Sequence, residues 1–299
     1  MLISVVIPCY NAAPWIRTAL ESTSRQTHPP QDLIVIDDGS TDGSVEEVEA
    51  SGVACRVVKT NRVGAAAARN RGIAAAGGDW IAFLDADDFW QPNHLERAVR
   101  LLNSSRDVGF ISNPHILREE SEERSSSLHW PIQHATSGLS DQCFLKYWTV
   151  SYGAVTSSMV ISKARLQAIG GFDVSWKRAE DLDVWLRVIA GQTWSYDPMP
   201  ATVYRKDSPG SLSKDRVLTK IETLEVLLKN QSRLPYPEMK ALIRARKLTL
   251  ILMAISEKRS GDLAAFRNLI FSDTSLSDRL LFSTLLAVPG LAGIGFGRR

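Results

Sequence analysis

Short apolar runs alternating with helical stretches set the frame of the first hundred residues. Leu2–Pro8, Asp32–Asp38 and Trp80–Leu84 are apolar at nearly every central position, and with Ala54–Lys59 they read as four strands. A strand that is apolar on both sides is one covered on both faces of its sheet. Between these runs lie four helices. Trp15–Ser24 follows Pro14, a residue suited to a first helical turn. Ser44–Ala50 has Asp42 or Ser44 as an N-cap, Gly64–Ala76 is helical on alanine content, and Asn93–Leu102 follows the fourth strand. This alternation predicts an α/β layer with a mostly parallel sheet, and such sheets take ligands beyond the carboxyl ends of their strands.

Further along, Ser112–Ser140 is rich in Ser, Glu and Arg and reads as a solvated connector. Gly153–Ile161 then reads as a strand, Lys163–Ile169 as a short helix, Gly170–Asp173 as a tight turn and Asp181–Ala190 as an amphipathic helix. From Val217 onward, Leu218–Leu228, Glu238–Glu257 and Leu263–Phe271 carry apolar residues at helical spacing. No internal repeat is present.

The strand ends gather the candidate chemistry. Tyr10, Asp37, Asp38, Asp85 and Asp87 all fall there, on one rim. Asp85, Asp87 and Asp88 crowd four positions after a burial-prone strand, which is costly unless a cation or a set of donors answers them. Oxygen ligands of this kind suit Mg²⁺ or Mn²⁺ shared with substrate phosphates. A solvated turn capping the next helix is the alternative, above all for Asp88. About a hundred residues later Glu180 and Asp181 form a second acidic cluster, which also suits the first turn of a helix. A metal that offsets the charge of a departing diphosphate, with a remote carboxylate taking a proton from a hydroxyl, is the chemistry of transfer from an activated donor.

Composition narrows the classes. With 44% hydrophobic and 23% charged residues, the chain is of ordinary globular type. The net charge of +2 is unevenly placed: Met1–Ser213 carries 20 basic and 25 acidic residues, and Lys214–Arg299 carries 15 and 8. The basic end suits contact with an anionic surface. Cys9, Cys55 and Cys143 lie far apart, which supports neither a disulfide framework nor a zinc ribbon and fits a reducing compartment. The start of the chain lacks a basic segment before its apolar run, so a cytoplasmic location is expected. Leu280–Gly297 is nearly long enough to cross a bilayer but contains Pro289 and several glycines. No dinucleotide fingerprint, P-loop, zinc-protease helix or nucleophile elbow is present.

Six segments, in order, resemble the motifs of glycosyltransferase family 2: Val5–Asn11 (VVIPCYN), Asp37–Asp42 (DDGSTD), Gly64–Gly72 (GAAAARNRG), Phe83–Asp88 (FLDADD), Gly170–Asp173 (GGFD) and Glu180–Arg187 (EDLDVWLR). The resemblance covers about Leu2–Ser213. It implies a GT-A fold, an inverting mechanism and a nucleotide-diphospho-sugar donor, most often UDP-linked. It divides the chain into a nucleotide-sugar-binding half (1–112), an acceptor-binding half (113–215) and a helical extension (216–299).

By the same resemblance Pro8 and Tyr10 line the base pocket, flanked by Asn11 and Gly39, with Tyr10 stacking on uracil and Asp38 accepting from its N3–H. Asp85, Ala86 and Asp87 form the D-x-D segment, with Asp87 on the metal and Asp85 toward the ribose or a metal-bound water. Arg62 and Arg69 are placed near the diphosphate, surface charge being the alternative for each. Asp181 is the implied base and Glu180 holds the acceptor. Relatives often carry a histidine after Tyr-Arg that completes the metal site; here the segment runs Tyr204–Ser213, and Asp207 stands in that place. The implied cofactor is Mn²⁺ or Mg²⁺, and the acceptor a glycan or lipid-linked glycan. The tail Leu280–Arg299 makes peripheral contact with the cytoplasmic membrane, or packs on the α/β domain or a partner. A nucleotide-sugar-binding scaffold without turnover is the competing reading.

Overall fold

The computed structural model describes residues 1–118, 122–124, 134–151, 155–206, 216–256, 270, 271, 278 and 282. Two compact units divide the chain, Met1–Leu212 and Ser213–Arg299.

In the first unit the apolar runs become β1 (Ile3–Cys9), β2 (Asp32–Asp37), β3 (Arg56–Lys59) and β4 (Trp80–Phe83), in the order β3-β2-β1-β4 and parallel throughout. Ile3, Val5, Val6 and Ile7 of β1 have no exposed surface, as expected of a strand covered on both faces. The connecting helices are α1 (Ile16–Ser24), α2 (Ser44–Ala50) and α3 (Ala65–Ala75). Pro14 lies in the turn before α1, whose N-cap is Trp15. Gly43, at φ 90°, is the N-cap of α2; Asp42 Oδ1 accepts from Ser44 N–H in the first turn at 3.1 Å, while Asp42 Oδ2 and Ser44 Oγ accept from the neighbouring loop. α3 packs on β1 and β2, and at Gly72 the helix comes so close that an added Cβ would lie 2.2 Å from Val6 Cγ1.

After β4 come β5 (Phe89–Trp90), α4 (His94–Asn103), β6 (Gly109–Arg118), β7 (Glu122–Arg124), β8 (Thr136–Ser140), α5 (Asp141–Ser151), β9 (Met159–Ser162), α6 (Lys163–Ala168), α7 (Glu180–Ile189) and β10 (Thr193–Lys206). The sheet continues β4-β9-β6-β10-β5, with β7 on β6 and β8 on β10. It is mixed here: β6 and β10 are parallel, while β9 runs antiparallel to both β4 and β6.

The expected connector Ser112–Ser140 is therefore partly sheet, since β6 reaches Arg118 and β8 begins at Thr136. Its polar residues Ser112 and Asn113 hid the strand because they are buried in it. Asn113 is buried, accepting from the Tyr196 hydroxyl at 2.9 Å and donating to the Pro198 carbonyl at 2.9 Å. Within the expected connector, residues 119–121 and 125–133 lie outside the described residues. β10 escaped the hydrophobic pattern because Pro198 and Pro200 interrupt it. They fall where its register with β6 shifts, between Asp197 and Thr202, and proline is tolerated at such an irregularity. The strand expected at Gly153–Ile161 is shorter, Met159–Ser162, and follows a 3₁₀ turn at Thr156–Ser158.

In the second unit α8 (Arg216–Asn230) packs on α9 (Pro237–Ser256). Ile221, Leu224 and Leu227 of α8, and Met239, Leu242 and Ile251 of α9, are buried. Among the described residues no helix is long and apolar enough to cross a membrane. Of the tail Leu280–Arg299, all but Phe282 lies outside the described residues, as does most of the expected helix Leu263–Phe271.

His94 opens α4 with a fully buried ring, 4.6 Å from the Trp90 ring in a stack and 5.9 Å from Phe110. Neither ring nitrogen has a hydrogen-bond partner among the described residues. Burial, reinforced by Arg97, pushes its pKa down to about 3. The folded ring stays neutral where an unfolded histidine takes up a proton, so stability is lost as pH falls below about 6.5. Between pH 7 and pH 5 the loss from this one group is about 2 kcal/mol. Urea midpoints at the two pH values should fall further apart for the wild type than for His94→Phe. Equal gaps would mean that His94 is not the source.

Candidate functional site

At the end of β1 the chain turns through Asn11, which adopts φ 49°. This turn and the loop after β2 are bonded into one piece. Asn11 N–H donates to Ser40 Oγ at 3.0 Å, and Thr41 N–H donates to Asn11 Oδ1 at 2.9 Å. Ala12 N–H reaches Ser44 Oγ at 2.8 Å, and Ala13 N–H reaches Asp42 Oδ2 at 3.0 Å. Pro8 is half-buried at the end of β1, whereas Tyr10 is 42% exposed. The Arg62 guanidinium carbon lies 4.9 Å from the centre of the Tyr10 ring, so Arg62 is a neighbour of the expected base pocket.

Asp38 is buried and richly bonded. Oδ1 accepts from the Thr60 hydroxyl at 2.6 Å and Val63 N–H at 2.7 Å, and Oδ2 accepts from Gly64 N–H at 2.8 Å. Gly39 follows at φ 78°, a conformation that suits a residue without Cβ. A carboxylate has about four acceptor positions, so among the described residues one remains, on Oδ2.

The acidic turn after β4 divides its labour. Asp88 is 1% exposed; its oxygens accept from the Ser157 hydroxyl and from Arg205 N–H, the latter at 2.9 Å. Ser157 Oγ also accepts from Asp85 N–H at 3.0 Å, and Arg205 Nε donates to the Asp87 carbonyl at 3.1 Å. Burial first, then the neighbouring Asp87 and Asp85, hold the Asp88 carboxyl well above the usual carboxylate range. Asp88 thus anchors the turn from beneath. Ala86 is buried too, while Asp85 and Asp87 are half-buried. Tyr204 borders this cluster, and burial together with the surrounding carboxylates raises its pKa and keeps the phenol protonated.

α3 reaches across to the third part of the site. The Asn70 side chain donates to the Phe172 carbonyl and accepts from Phe172 N–H, both at 2.8 Å. This clasp needs Gly171, at φ 70°, because a Cβ there would lie 2.4 Å from Asn70 Oδ1. Arg69 is 5% exposed. Its Nη2 donates to Asp85 Oδ1 at 2.7 Å and its Nη1 to Glu180 Oε1 at 3.0 Å. Arg69 was expected near the diphosphate; in the structure each of its terminal nitrogens has a carboxylate partner.

Glu180 and Asp181 open α7. The helix is fixed by Asp183, which accepts from Arg187 Nε at 2.7 Å, while Arg187 Nη1 donates to the Ile169 carbonyl at 2.8 Å. Asp181 is half-buried and accepts from Leu182 N–H at 2.6 Å. Burial and the adjacent Glu180 carboxylate push its pKa up to about 7, against the opposing pull of Leu182 N–H and Arg69. A carboxylate so poised can take a proton near neutral pH. Trp185 is buried and packs in the core.

Among the described residues no three metal-ligating side chains cluster closely enough to hold an ion unaided. Asp207, the expected third ligand, lies outside the described residues. Asp85 and Asp87 provide the hard oxygen donors that suit Mg²⁺ or Mn²⁺ when phosphate oxygens and water complete the shell. The residues fit a metal in that shared form. Ser157, Thr60, Asn70 and Tyr204 were not singled out from sequence. For Asn70 the available signal was its place directly after Arg69 in an alanine-rich helix.

Comparison with known proteins fixes the family. The family model of glycosyl transferase family 2 matches residues 4–164. The amylovoran biosynthesis glycosyltransferase AmsB of Erwinia amylovora is 32% identical over 195 residues, 62% of this chain and 62% of that protein. An uncharacterized glycosyltransferase of a Nostoc strain, alr2836, is 38% identical over 122 residues, 39% of this chain and 38% of its own length. The matches thus span roughly two to three fifths of these relatives. Among solved structures, S. aureus TarS in complex with UDP-GlcNAc superposes with a TM-score of 0.64 at 18% identity, over 96% of this chain and 80% of that one. The mannosyltransferase PcManGT of Pyrobaculum calidifontis, in complex with GDP-Man and Mn²⁺, gives 0.55 at 20% identity, over 98% and 82%. The motifs along one rim, the mixed sheet that carries them and the matched family model lead to one conclusion: this chain belongs to glycosyl transferase family 2 and has the GT-A fold.

Proposed function

We propose that the protein is an inverting glycosyltransferase that moves a sugar from a UDP-sugar to a hydroxyl of a glycan or lipid-linked glycan. The observation that carries the reading is the joining of the two acidic clusters: Arg69 bonds both Asp85 of the acidic turn and Glu180, the neighbour of Asp181, whose pKa burial and Glu180 push up to about 7. In the reaction Asp181 takes the proton of the acceptor hydroxyl as that oxygen bonds to the anomeric carbon. The bond from that carbon to the diphosphate breaks on the opposite face, and UDP departs. Asp85 and Asp87 would hold a Mg²⁺ or Mn²⁺, which when bound supplies positive charge to the diphosphate. Glu180 orients the acceptor side, and the basic tail Leu280–Arg299 would bring the enzyme to a lipid-linked acceptor at the cytoplasmic membrane.

The state of Asp38 supports uracil as the base. Its single remaining acceptor position matches one N3–H, whereas guanine offers two adjacent donors to a carboxylate. The exposed ring of Tyr10 supports stacking beside it. AmsB, an amylovoran biosynthesis glycosyltransferase by name, supports sugar transfer as the reaction.

The test is UDP release from a panel of UDP-sugars with Mn²⁺ and p-nitrophenyl glycosides as acceptors, with GDP-mannose as the contrasting donor. Release from at least one UDP-sugar is expected, and excess EDTA should suppress it. Thermal shifts should follow the same preference, because a ligand that binds only the native state raises its apparent stability. Stabilisation by UDP-sugars without release from any of them would select the non-catalytic scaffold, and a preference for GDP-mannose would overturn the uracil assignment.

A further inference from the structure

A buried guanidinium is costly unless its charge is answered on all sides. On α3, an otherwise alanine-rich helix, Arg69 is answered twice. The partners lie 16 and 111 residues away in sequence, Asp85 in the acidic turn and Glu180 at the start of α7. A planar fork bonded to two carboxylates fixes the angle between them as well as their distance, which an ammonium group cannot do. The guanidinium also lies over Phe172, 5.4 Å from the ring centre, and Phe172 is gripped by Asn70 from the same helix and packs edge-on to Phe83 of β4 at 5.3 Å. Arg69 is therefore held in one place, with its head between the two acidic clusters of the site.

We propose that Arg69 is a positioning residue for the sugar transfer put forward above, on which this inference rests. By bridging Asp85 and Glu180 it fixes the start of α7, and with it the Asp181 carboxylate, relative to the turn that receives the sugar diphosphate. Arg69 does not touch the reacting atoms. It acts on Asp181 by geometry, through Glu180, and by charge: Glu180 and Asp85 face Asp181 and favour its proton, and Arg69 opposes them.

Arg69→Met should lower kcat by roughly 10- to 100-fold, the loss expected when a catalytic group is misplaced by about 1 Å. Affinity for UDP, titrated directly, should change far less than kcat, and the acidic limb of the pH–rate profile should move upward. Arg69→Lys keeps the charge and loses the fork, so its limb should stay near that of the wild type while kcat remains low. Because Arg69→Met leaves Glu180 buried without its partner, the double variant Arg69→Met/Glu180→Gln guards against misfolding, with circular dichroism as the check. If the bridge is the function, the two losses should not multiply. Wild-type kcat in both Arg69 variants would overturn the proposal, as would UDP affinity falling in step with kcat or losses that multiply. If the wild type releases no UDP, the reading of the site has failed. Arg69 is then judged by carboxyl NMR: a titration of Asp181 that rises in Arg69→Met sustains the bridge, and one left unmoved refutes it.

Discussion

Asp181→Asn should reduce turnover roughly 10³-fold, within the range that a positioned general base contributes. Asparagine keeps the shape of the side chain and an oxygen to accept from Leu182 N–H, but it cannot take a proton from an acceptor hydroxyl. Donor binding should survive, since the groups assigned to the nucleotide lie at and beyond the ends of β1, β2 and β3 and in the acidic turn. The wild type should show a second signature. With its pKa raised to about 7, Asp181 is protonated at lower pH and cannot act as a base, so kcat/KM should fall about tenfold per pH unit below that value. In the variant this limb should disappear. Release of UDP at equal rates by the two proteins would remove Asp181 from its role.

Gly72→Ala should destabilise the fold by about 2–3 kcal/mol, the cost of overpacking a filled core. Helix propensity alone predicts the opposite sign, because alanine in a helix interior is better than glycine by about 1 kcal/mol. The contact decides between them. A Cβ at position 72 would lie 2.2 Å from Val6 Cγ1, 2.9 Å from Cγ2 and 3.1 Å from Cβ. Val6 is fully buried in β1, a strand paired on both sides, so it has nowhere to retreat. α3 must lift away from the sheet. The expected result is a lower urea midpoint, partly restored in Gly72→Ala/Val6→Ala, where the lost methyl groups make room. An unchanged midpoint in the single variant would mean that α3 can move freely, and the anchoring of Arg69 and Asn70 would then need another source.

The rim at the ends of β1, β2 and β4 was legible because its strands are buried on both faces, and such strands advertise themselves as apolar runs. The carboxylates at their ends stood out for the same reason, as charged residues where none can be buried unanswered. The other half was harder to read. β6 places Ser112 and Asn113 in the interior and satisfies Asn113 with partners distant in sequence, so its polarity imitated a loop. β10 carries two prolines at a register shift. From sequence Asp88 was set apart from Asp85 and Asp87 only as a candidate for a solvated cap, and at 1% exposure it is buried instead. Only the bonds from Ser157 and Arg205 distinguish an anchor from a ligand. Arg69 was legible as important but not as a bridge, because a guanidinium suits phosphate and carboxylate equally well and one of its partners, Glu180, lies 111 residues away.

The clasp between Asn70 and Phe172 spans 102 residues and has a consequence for the order of biosynthesis. β1 to β4 and their helices are complete once about Leu84 has left the ribosome, and the parallel pairs among them can form at once. Until the segment from Gly171 to Glu180 emerges, however, Asn70 has no backbone to hold and Arg69 lacks one of its carboxylates. The nascent chain therefore waits, with a charged and incompletely partnered face on α3, while another hundred residues are added. At about 5–20 residues per second that interval lasts several seconds, ample time for a chaperone to bind and for aggregation to compete.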